Sequence, residues 1–336
     1  MTIRRRTFVS FVTYSVVTEG LLSRYSKASG ATAGKTIAYS QAELINDWRV
    51  TNQKDMERRV KDAGYKFISV SADQDASKQL SDIENLLAQS PSLLVVSPVE
   101  SVALSPAVGM ANDAGVPMIV IDRTLNAKPG TGMYKAEITQ SHYQSGKLLA
   151  QKTIDLLTKK NGSPKGNVVH VQGMAGASPV IDANRGWAEI MATHSGIKTV
   201  ATADAGFTKE GGIRVMQDFL QRFPAGSIDI VRTDYSDMTL GAIDAIKNVK
   251  RSELLGFIVG EGGSDLAIEA VIAGDIARET QTPPYFGALI VANAAKIFSG
   301  QPVDPHQDVP IKVFDADNPA AAKSYLASIQ SAGLHF

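Results

Sequence analysis

From Lys35 onward, short apolar runs alternate with longer amphipathic stretches, and the alternation occurs twice. In the first half, Lys35–Tyr39, Lys66–Ser71, Leu93–Ser97 and Met118–Ile121 read as strands. Asp47–Ala63, Ala76–Gln89 and Ala103–Ala114 read as the helices between them. Strands alternating with helices argue for βαβ units and a parallel sheet. The strands are apolar along their length, as expected when helices cover both faces. After a looser stretch at Asn126–Thr131 the rhythm restarts. Helices are expected at Ser141–Lys159, Val180–Ser195, Lys209–Phe223, Met238–Val249, Leu266–Ala273 and Tyr285–Phe298. Strands are expected at Asn167–Gln172, Lys198–Ala203, Ile228–Arg232, Leu255–Val259 and Ile276–Gln281. The fold class is therefore α/β, with each half making its own doubly wound sheet. A length of 336 residues suits two domains.

Composition removes several function classes. Lysine plus arginine equals aspartate plus glutamate, 34 each, so nothing supports a nucleic-acid partner. There is no cysteine, which excludes thiol catalysis, disulfides and cysteine-ligated zinc. None of the five histidines sits in H-E-x-x-H, and no G-x-S-x-G, phosphate loop or dinucleotide fingerprint occurs. No cofactor and no metal are expected. Residues 1–33 have a different character. Arg4-Arg5-Arg6 precedes the mostly apolar Phe8–Val17, and Ala31-Thr32-Ala33 places small residues where a signal peptidase reads. This is the order of an export signal, cleaved after Ala33, and Arg5-Arg6-Thr7-Phe8 looks like a twin-arginine motif. The alternative is a basic tail. The apolar run is too short and interrupted to span a bilayer.

The chemistry gathers at strand ends. Met118-Ile119-Val120-Ile121 runs straight into Asp122-Arg123, so the pair sits where a strand leaves its sheet. In open α/β sheets ligands bind outside those ends. A carboxylate accepts from hydroxyls and a guanidinium donates to oxygens, which suits a small polyhydroxylated ligand. A strand-end salt bridge is an equal reading. Ser40 follows the first strand, then Asn46-Asp47-Trp48-Arg49. Asn46 or Asp47 is expected to cap the next helix. Trp48 offers a stacking face, or packs in the core. In the second half, small residues through Ala177 and Ser178 lead into a helix whose N-terminus offers free N–H groups. Asp182 contacts a ligand or complements the helix dipole. Tyr235 and Asp237, the latter an expected N-cap, follow another strand. Glu261 and Gln281 stand at two more strand ends. A cleft between the halves would collect these loops.

In order and spacing, several segments resemble the periplasmic sugar-binding proteins of ABC importers, in the ribose-binding class and nearest its galactofuranose-binding branch. They are Tyr39-Ser40-Gln41 with Trp48-Arg49, Ser97-Pro98-Val99, Ile121-Asp122-Arg123, Gln172-Gly173 with Gly176-Ala177-Ser178 and Ile181-Asp182, and Asp237-Met238 with Gly241-Ala242-Ile243. The resemblance covers essentially the whole chain after the export signal. It implies the two-lobed type I periplasmic binding protein fold with a hinge. One lobe would hold residues 34–138 and 283–309, the other 139–282 and 310–336. It also implies that Asp122 and Arg123 bind sugar hydroxyls, Trp48 stacks and Arg49 donates. Asp182 would accept from the second lobe, and Gln281 would occupy the hinge position. The chain departs from the galactofuranose pattern at Asp182-Ala183, Tyr235-Ser236 and Glu261-Gly262, and Ile45 stands where that branch has glutamate. The implied function is an exported, monomeric periplasmic receptor that hands a monosaccharide to a membrane permease. Either Asp122→Ala or Arg123→Ala is expected to abolish binding and leave the fold intact. Alternatives are the sensing core of a regulator or chemoreceptor, or a sugar-acting enzyme. Repressors with this core carry an N-terminal helix-turn-helix, whose two-helix pattern residues 1–33 lack.

Overall fold

The computed structural model describes residues 34–331 and 336, so the expected export signal and its cleavage site lie outside the described residues. The first sheet is built by β1 (Thr36–Gln41), β2 (Lys66–Ser71), β3 (Leu93–Val96), β4 (Met118–Asp122) and β5 (Tyr134–Gln140). Its helices are α1 (Asp47–Asp62), α2 (Ala76–Ala88) and α3 (Pro106–Ala114). The second contains β6 (Gly166–Gln172), β7 (Ile197–Asp204), β8 (Ile230–Thr233), β9 (Ile258–Gly262) and β10 (Arg278–Gln281). It is accompanied by α4 (His142–Asn161), α5 (Ser178–Met191), α6 (Lys209–Arg222), α7 (Ser236–Asn248) and α8 (Asp265–Ala273). The chain then returns through α9 (Gly287–Phe298), which packs on α1, to β11 (His306–Val309) beside β5. It ends with β12 (Lys312–Asp315) beside β10 and α10 (Pro319–Ser331) against α8.

The strand orders are β2-β1-β3-β4-β5-β11 and β7-β6-β8-β9-β10-β12. All pairings are parallel except the antiparallel β10–β12. In each sheet the winding reverses beside its first strand, between β1 and β3 and between β6 and β8. Loops leaving opposite sides of that point open a crevice for a ligand. The fold thus supplies two such crevices. Among the described residues the chain passes between the sheets three times, after β5, β10 and β11.

The central strands follow from their composition. Leu93–Val96 and Met118–Asp122 are buried at every position, as both-face coverage demands. Three strands and the last helix have no counterpart in the sequence reading. β5 alternates, with Tyr134, Ala136, Ile138 and Gln140 buried between half-buried Lys, Glu and Thr. That period-2 pattern carries too much charge to stand out among wholly apolar neighbours. β11 and β12 are four-residue edge strands separated by Pro310 and Ile311, exposed or half-buried apart from Phe314, and tertiary pairing rather than composition makes them strands. α3 starts at Pro106, later than the pattern suggested, because proline's fixed φ suits the first helical turn.

Candidate functional site: the cavity between the two sheets

The strand-end loops of both sheets converge on one cavity of about 50 Å³. Glu43, Asn46, Trp48 and Arg49 reach it from the β1–α1 connection and the start of α1, and Asp122 and Arg123 from the end of β4. His142 and Pro179 arrive from α4 and α5, Phe207 from the β7–α6 loop, and Asp234 and Tyr235 from the β8–α7 loop. Glu261 of β9 and Thr282, just beyond β10, complete it.

On the first-lobe side, two arginines are locked between two carboxylates. Arg49 donates from Nε to Glu43 Oε1 at 2.9 Å and pairs through Nη2 with Asp122 Oδ2 at 2.8 Å. Its Nη1 donates to Ser97 Oγ at 2.8 Å and Gln41 Oε1 at 3.2 Å. Arg123 donates from Nη2 to the same Glu43 oxygen at 2.8 Å, and from Nη1 to the carbonyls of Val99 and Pro98 at 3.0 and 3.2 Å. Burial alone would lower the Arg49 pKa, but Asp122 and Glu43 hold it above the ordinary guanidinium value. Arg123 is lowered by burial, with Arg49 acting the same way and Glu43 only partly opposing. Removing one member would leave a buried charge without its counter-ion, which is strongly unfavourable.

Asp122 carries a further mark of constraint. Its φ is +65°, and the Arg123 N–H donates to the Ile121 carbonyl at 2.7 Å across it. Aspartate tolerates this left-handed region better than most residues. The turn rotates the carboxylate out of the strand toward the cavity. Its contacts run through Oδ2, which leaves Oδ1 as an acceptor.

On the second-lobe side, Asp234 is anchored from behind. Oδ1 lies 2.8 Å from His170 Nε2 and 3.3 Å from Arg232 Nη2, and Oδ2 accepts from the Gly173 N–H at 3.1 Å. Burial would raise its pKa, but His170, Arg232 and the Gly173 amide bring it down to about 2. His170 itself is lowered by burial and by Arg232. Glu261 Oε1 meets His142 Nδ1 at 2.5 Å. Burial is the largest single influence on the His142 pKa and lowers it, but Glu261, joined by Asp122 and Asp182, makes the net shift upward.

The walls are aromatic. Trp48 is 4% exposed, donates Nε1–H to the Thr282 carbonyl at 2.6 Å and packs edge-on to Phe286. Its ring carries the Arg49 guanidinium at 4.7 Å, and Phe207 carries that of Arg123 at 5.4 Å. The lobes also touch directly. The Trp48 N–H donates to the Tyr235 hydroxyl at 3.3 Å, Asn46 Nδ2 to the Phe207 carbonyl at 3.4 Å, and the Thr124 N–H to Ser178 Oγ at 2.8 Å.

The structure brings seven of the sequence-derived candidates to the cavity: Asn46, Trp48, Arg49, Asp122, Arg123, Tyr235 and Glu261. Asn46 is also the α1 cap, accepting from the Arg49 N–H at 3.0 Å. Trp48 is both core and wall. Asp122 and Arg123 belong to a buried ion-pair network, as the salt-bridge reading expected, and that network borders the cavity. Five candidates do not line it. Ser40 Oγ accepts from Gln79 at 3.1 Å behind β1. Ala177 packs in the core as the α5 cap, and Ser178 bridges to Thr124. Asp182 pairs with Arg185 on its own helix at 3.0 Å. Gln281 is fully buried, donating to the Gly263 carbonyl at 3.3 Å and to the Tyr325 hydroxyl. Asp237 is not the cap of α7. Tyr235 is, and Asp237 sits in the first turn, pushed up to about 6 by burial and by Asp47. Ile45 is exposed and does not line the cavity, whereas Glu43, two residues earlier in the same loop, does.

Glu43, His142, Pro179, Phe207, Asp234 and Thr282 were not singled out from sequence. Glu43 and Asp234 stood in the right strand-end loops and were legible by position. His142, read as ordinary helix start, and Phe207 carried no such signal.

A family profile described as periplasmic binding protein domain matches residues 37–302. The chain is 28% identical over 300 residues to the ribose import binding protein of Haemophilus influenzae, covering 89% of this chain and 98% of that protein. It is 29% identical over 214 residues to the galactofuranose-binding protein of Escherichia coli, covering 63% and 65%. A Mycobacterium smegmatis crystal structure in complex with β-D-fucofuranose superposes with a TM-score of 0.79 at 27% identity, covering 88% of this chain and 97% of that one.

Proposed function

This chain belongs to the periplasmic binding protein family, and on that premise we propose that it is an extracytoplasmic receptor. It captures a monosaccharide, a furanose or another pentose or hexose form, between its lobes and delivers it to an ABC importer. The observation that carries this reading is the cavity, where acceptors and donors alternate between aromatic walls. Asp122 Oδ1 and Glu261 Oε2 accept, and Arg49, Asn46 and the Tyr235 hydroxyl have hydrogens to give. Vicinal hydroxyls each donate and accept, so a polyol satisfies both sets together. Trp48 and Phe207 offer apolar surface to the C–H faces of a ring. The ligands named for the relatives, ribose, galactofuranose and β-D-fucofuranose, support a small sugar.

Binding would stabilise the closed arrangement, because a sugar spanning the cavity touches both lobes at once. We take residues 34–138 with 283–309 and residues 139–282 with 310–336 as the bodies that move. Residues 1–33 are the proposed export signal, with the mature protein beginning at Gly34. A non-catalytic role fits a site whose carboxylates are engaged with arginine or histidine.

The test is a thermal-shift screen over D-ribose, L-arabinose, D-galactose, D-fucose, D-apiose and xylitol. A ligand at one hundred times its Kd stabilises the native state by about 2.7 kcal/mol, a plain rise in Tm. No rise with any sugar, or turnover of a sugar or glycoside, overturns the receptor reading.

A further inference from the structure

His142 is the first residue of α4, immediately after the chain has passed from the first sheet to the second. It is 7% exposed, lines the cavity, and has its Nδ1 against Glu261 Oε1 at 2.5 Å. Its other ring nitrogen, Nε2, is buried and has no hydrogen-bond partner among the described residues. A polar atom buried without a partner is unfavourable in a finished interior. At the wall of a binding cavity it is an unused contact.

We propose that His142 is a specificity-determining contact of this site, with Nδ1–H anchored on Glu261 and Nε2–H donated to an oxygen of the bound sugar. The inference rests on the sugar-receptor reading and assigns one of its contacts. Glu261 settles the roles of the ring. A carboxylate can only accept, so Nδ1 carries hydrogen and Nε2 is the nitrogen that titrates. Protonated, the ring gives a charge-assisted donor that suits a ring oxygen or a hydroxyl oxygen. Neutral, it offers only a lone pair, which a ring oxygen cannot use. Glu261 Oε2 stands beside it as an acceptor, so the pair reads an adjacent acceptor and donor on the ligand.

The groups facing His142 favour the charged ring. Glu261 of β9 raises its pKa most, and Asp122 of β4 and Asp182 of α5 act in the same direction against burial. The remaining charged groups of the cavity are Glu43, Arg49, Arg123 and Asp234, with Arg123 held by Glu43 and Asp234 held by His170 and Arg232. The raised folded pKa means the donor form is complete below the ordinary histidine value and is lost as pH rises through the shifted one. Sugar binding would therefore draw a proton onto the protein at the upper end of that window.

The experiment is calorimetry of the full mature chain with the same six sugars, in two buffers of different ionisation enthalpy, from about pH 6 to about pH 9. Wild type is compared with His142→Gln, which keeps an N–H donor and cannot titrate, and with His142→Phe. Ligand-free melting temperatures establish that each variant is folded. The expected result is proton uptake and falling affinity at high pH in wild type, with neither in His142→Gln. His142→Phe should lose about tenfold or more in affinity at low pH, the scale of a hydrogen bond to a charged group. Wild-type affinity in folded His142→Phe, or an unchanged pH slope in His142→Gln, overturns the assignment while leaving the receptor reading in place. If wild type binds none of the six, the receptor reading falls and this inference falls with it.

Discussion

Glu43 is where the residue scale differs most from a motif reading. One of its oxygens accepts from both Arg49 and Arg123, so two cavity arginines meet on a single buried carboxylate oxygen, with Asp122 as the second counter-ion. Arg123 accordingly holds the β3 loop through the Pro98 and Val99 carbonyls as well as bordering the ligand site. The expectation that Arg123→Ala spares the fold is revised. It should cost about 3–5 kcal/mol, because Glu43 loses part of its compensation in a dry interior. Urea unfolding measures this directly. Asp122→Asn is the cleaner probe, since asparagine also tolerates the +65° φ that alanine resists. Its midpoint should fall by less than that of Arg123→Ala, because Arg49 keeps Glu43 as a counter-ion and the amide oxygen still accepts, while sugar affinity falls about tenfold or more, the loss of a charged acceptor. A large drop in midpoint would mean that the Arg49 pairing is chiefly structural. The polar strand ends were legible from sequence because a carboxylate or arginine after an apolar strand leaves the sheet at a known place. Glu43 was legible only by its position in such a loop and His142 carried no signal, since their roles depend on partners 80 and 119 residues away.

At the scale of elements, the second lobe relies on helices that approach unusually closely. A Cβ on Gly146 of α4 would meet the Ala183 carbonyl oxygen of α5 at 2.0 Å, and one on Gly186 of α5 would meet the Tyr143 carbonyl oxygen at 1.9 Å. Both obstacles are backbone, so neither can swing aside. Gly186→Ala should destabilise by about 1–3 kcal/mol or more by pushing α5 from α4, measured by thermal or urea unfolding. β10 contributes a pH response of its own. Burial drives the Glu279 carboxyl from 4.5 up to about 7, against hydrogen bonds from Gly263 N–H and Ser236. The folded state thus holds this proton more tightly than the unfolded chain. Its stabilising effect is complete below about 4.5 and is lost as pH rises to about 7. Glu279→Gln should flatten the fall in Tm across that window, and an unchanged profile would point to other groups. These features escape a periodicity reading. Glycine in a helix pattern shows only lost propensity, and a glutamate in a strand gives no hint of complete burial.

The whole molecule is a repeated wiring diagram. Loops at the strand ends of both sheets line the same cavity, and two of the three crossings, after β5 and β10, reach it through His142 and Thr282. Direct bonds such as Thr124 N–H to Ser178 Oγ oppose opening. Ser178→Ala leaves that N–H without its partner and should shift the lobes toward an open form. One net hydrogen bond is worth about 1 kcal/mol, or about fivefold in that equilibrium. Small-angle scattering should give a larger radius of gyration for the ligand-free variant, restored by saturating sugar. An identical radius would mean that the lobe contact contributes nothing to closure.

The amino-acid sequence by itself determined the doubly repeated α/β plan, the burial of the central strands and the presence of polar residues at their exits. Each follows from local periodicity and from where an apolar run stops. Tertiary structure decided which of those exits meet. It set Glu43 between Arg49 and Arg123, brought Phe207 over the cleft, and turned Ser178 and Gln281 to lobe contact and support. It also recruited β5, β11 and β12, whose own composition is too mixed to announce a strand. The physical reason is range: side-chain period is written along the chain, whereas ion pairing and cavity lining depend on distances that only the folded backbone sets.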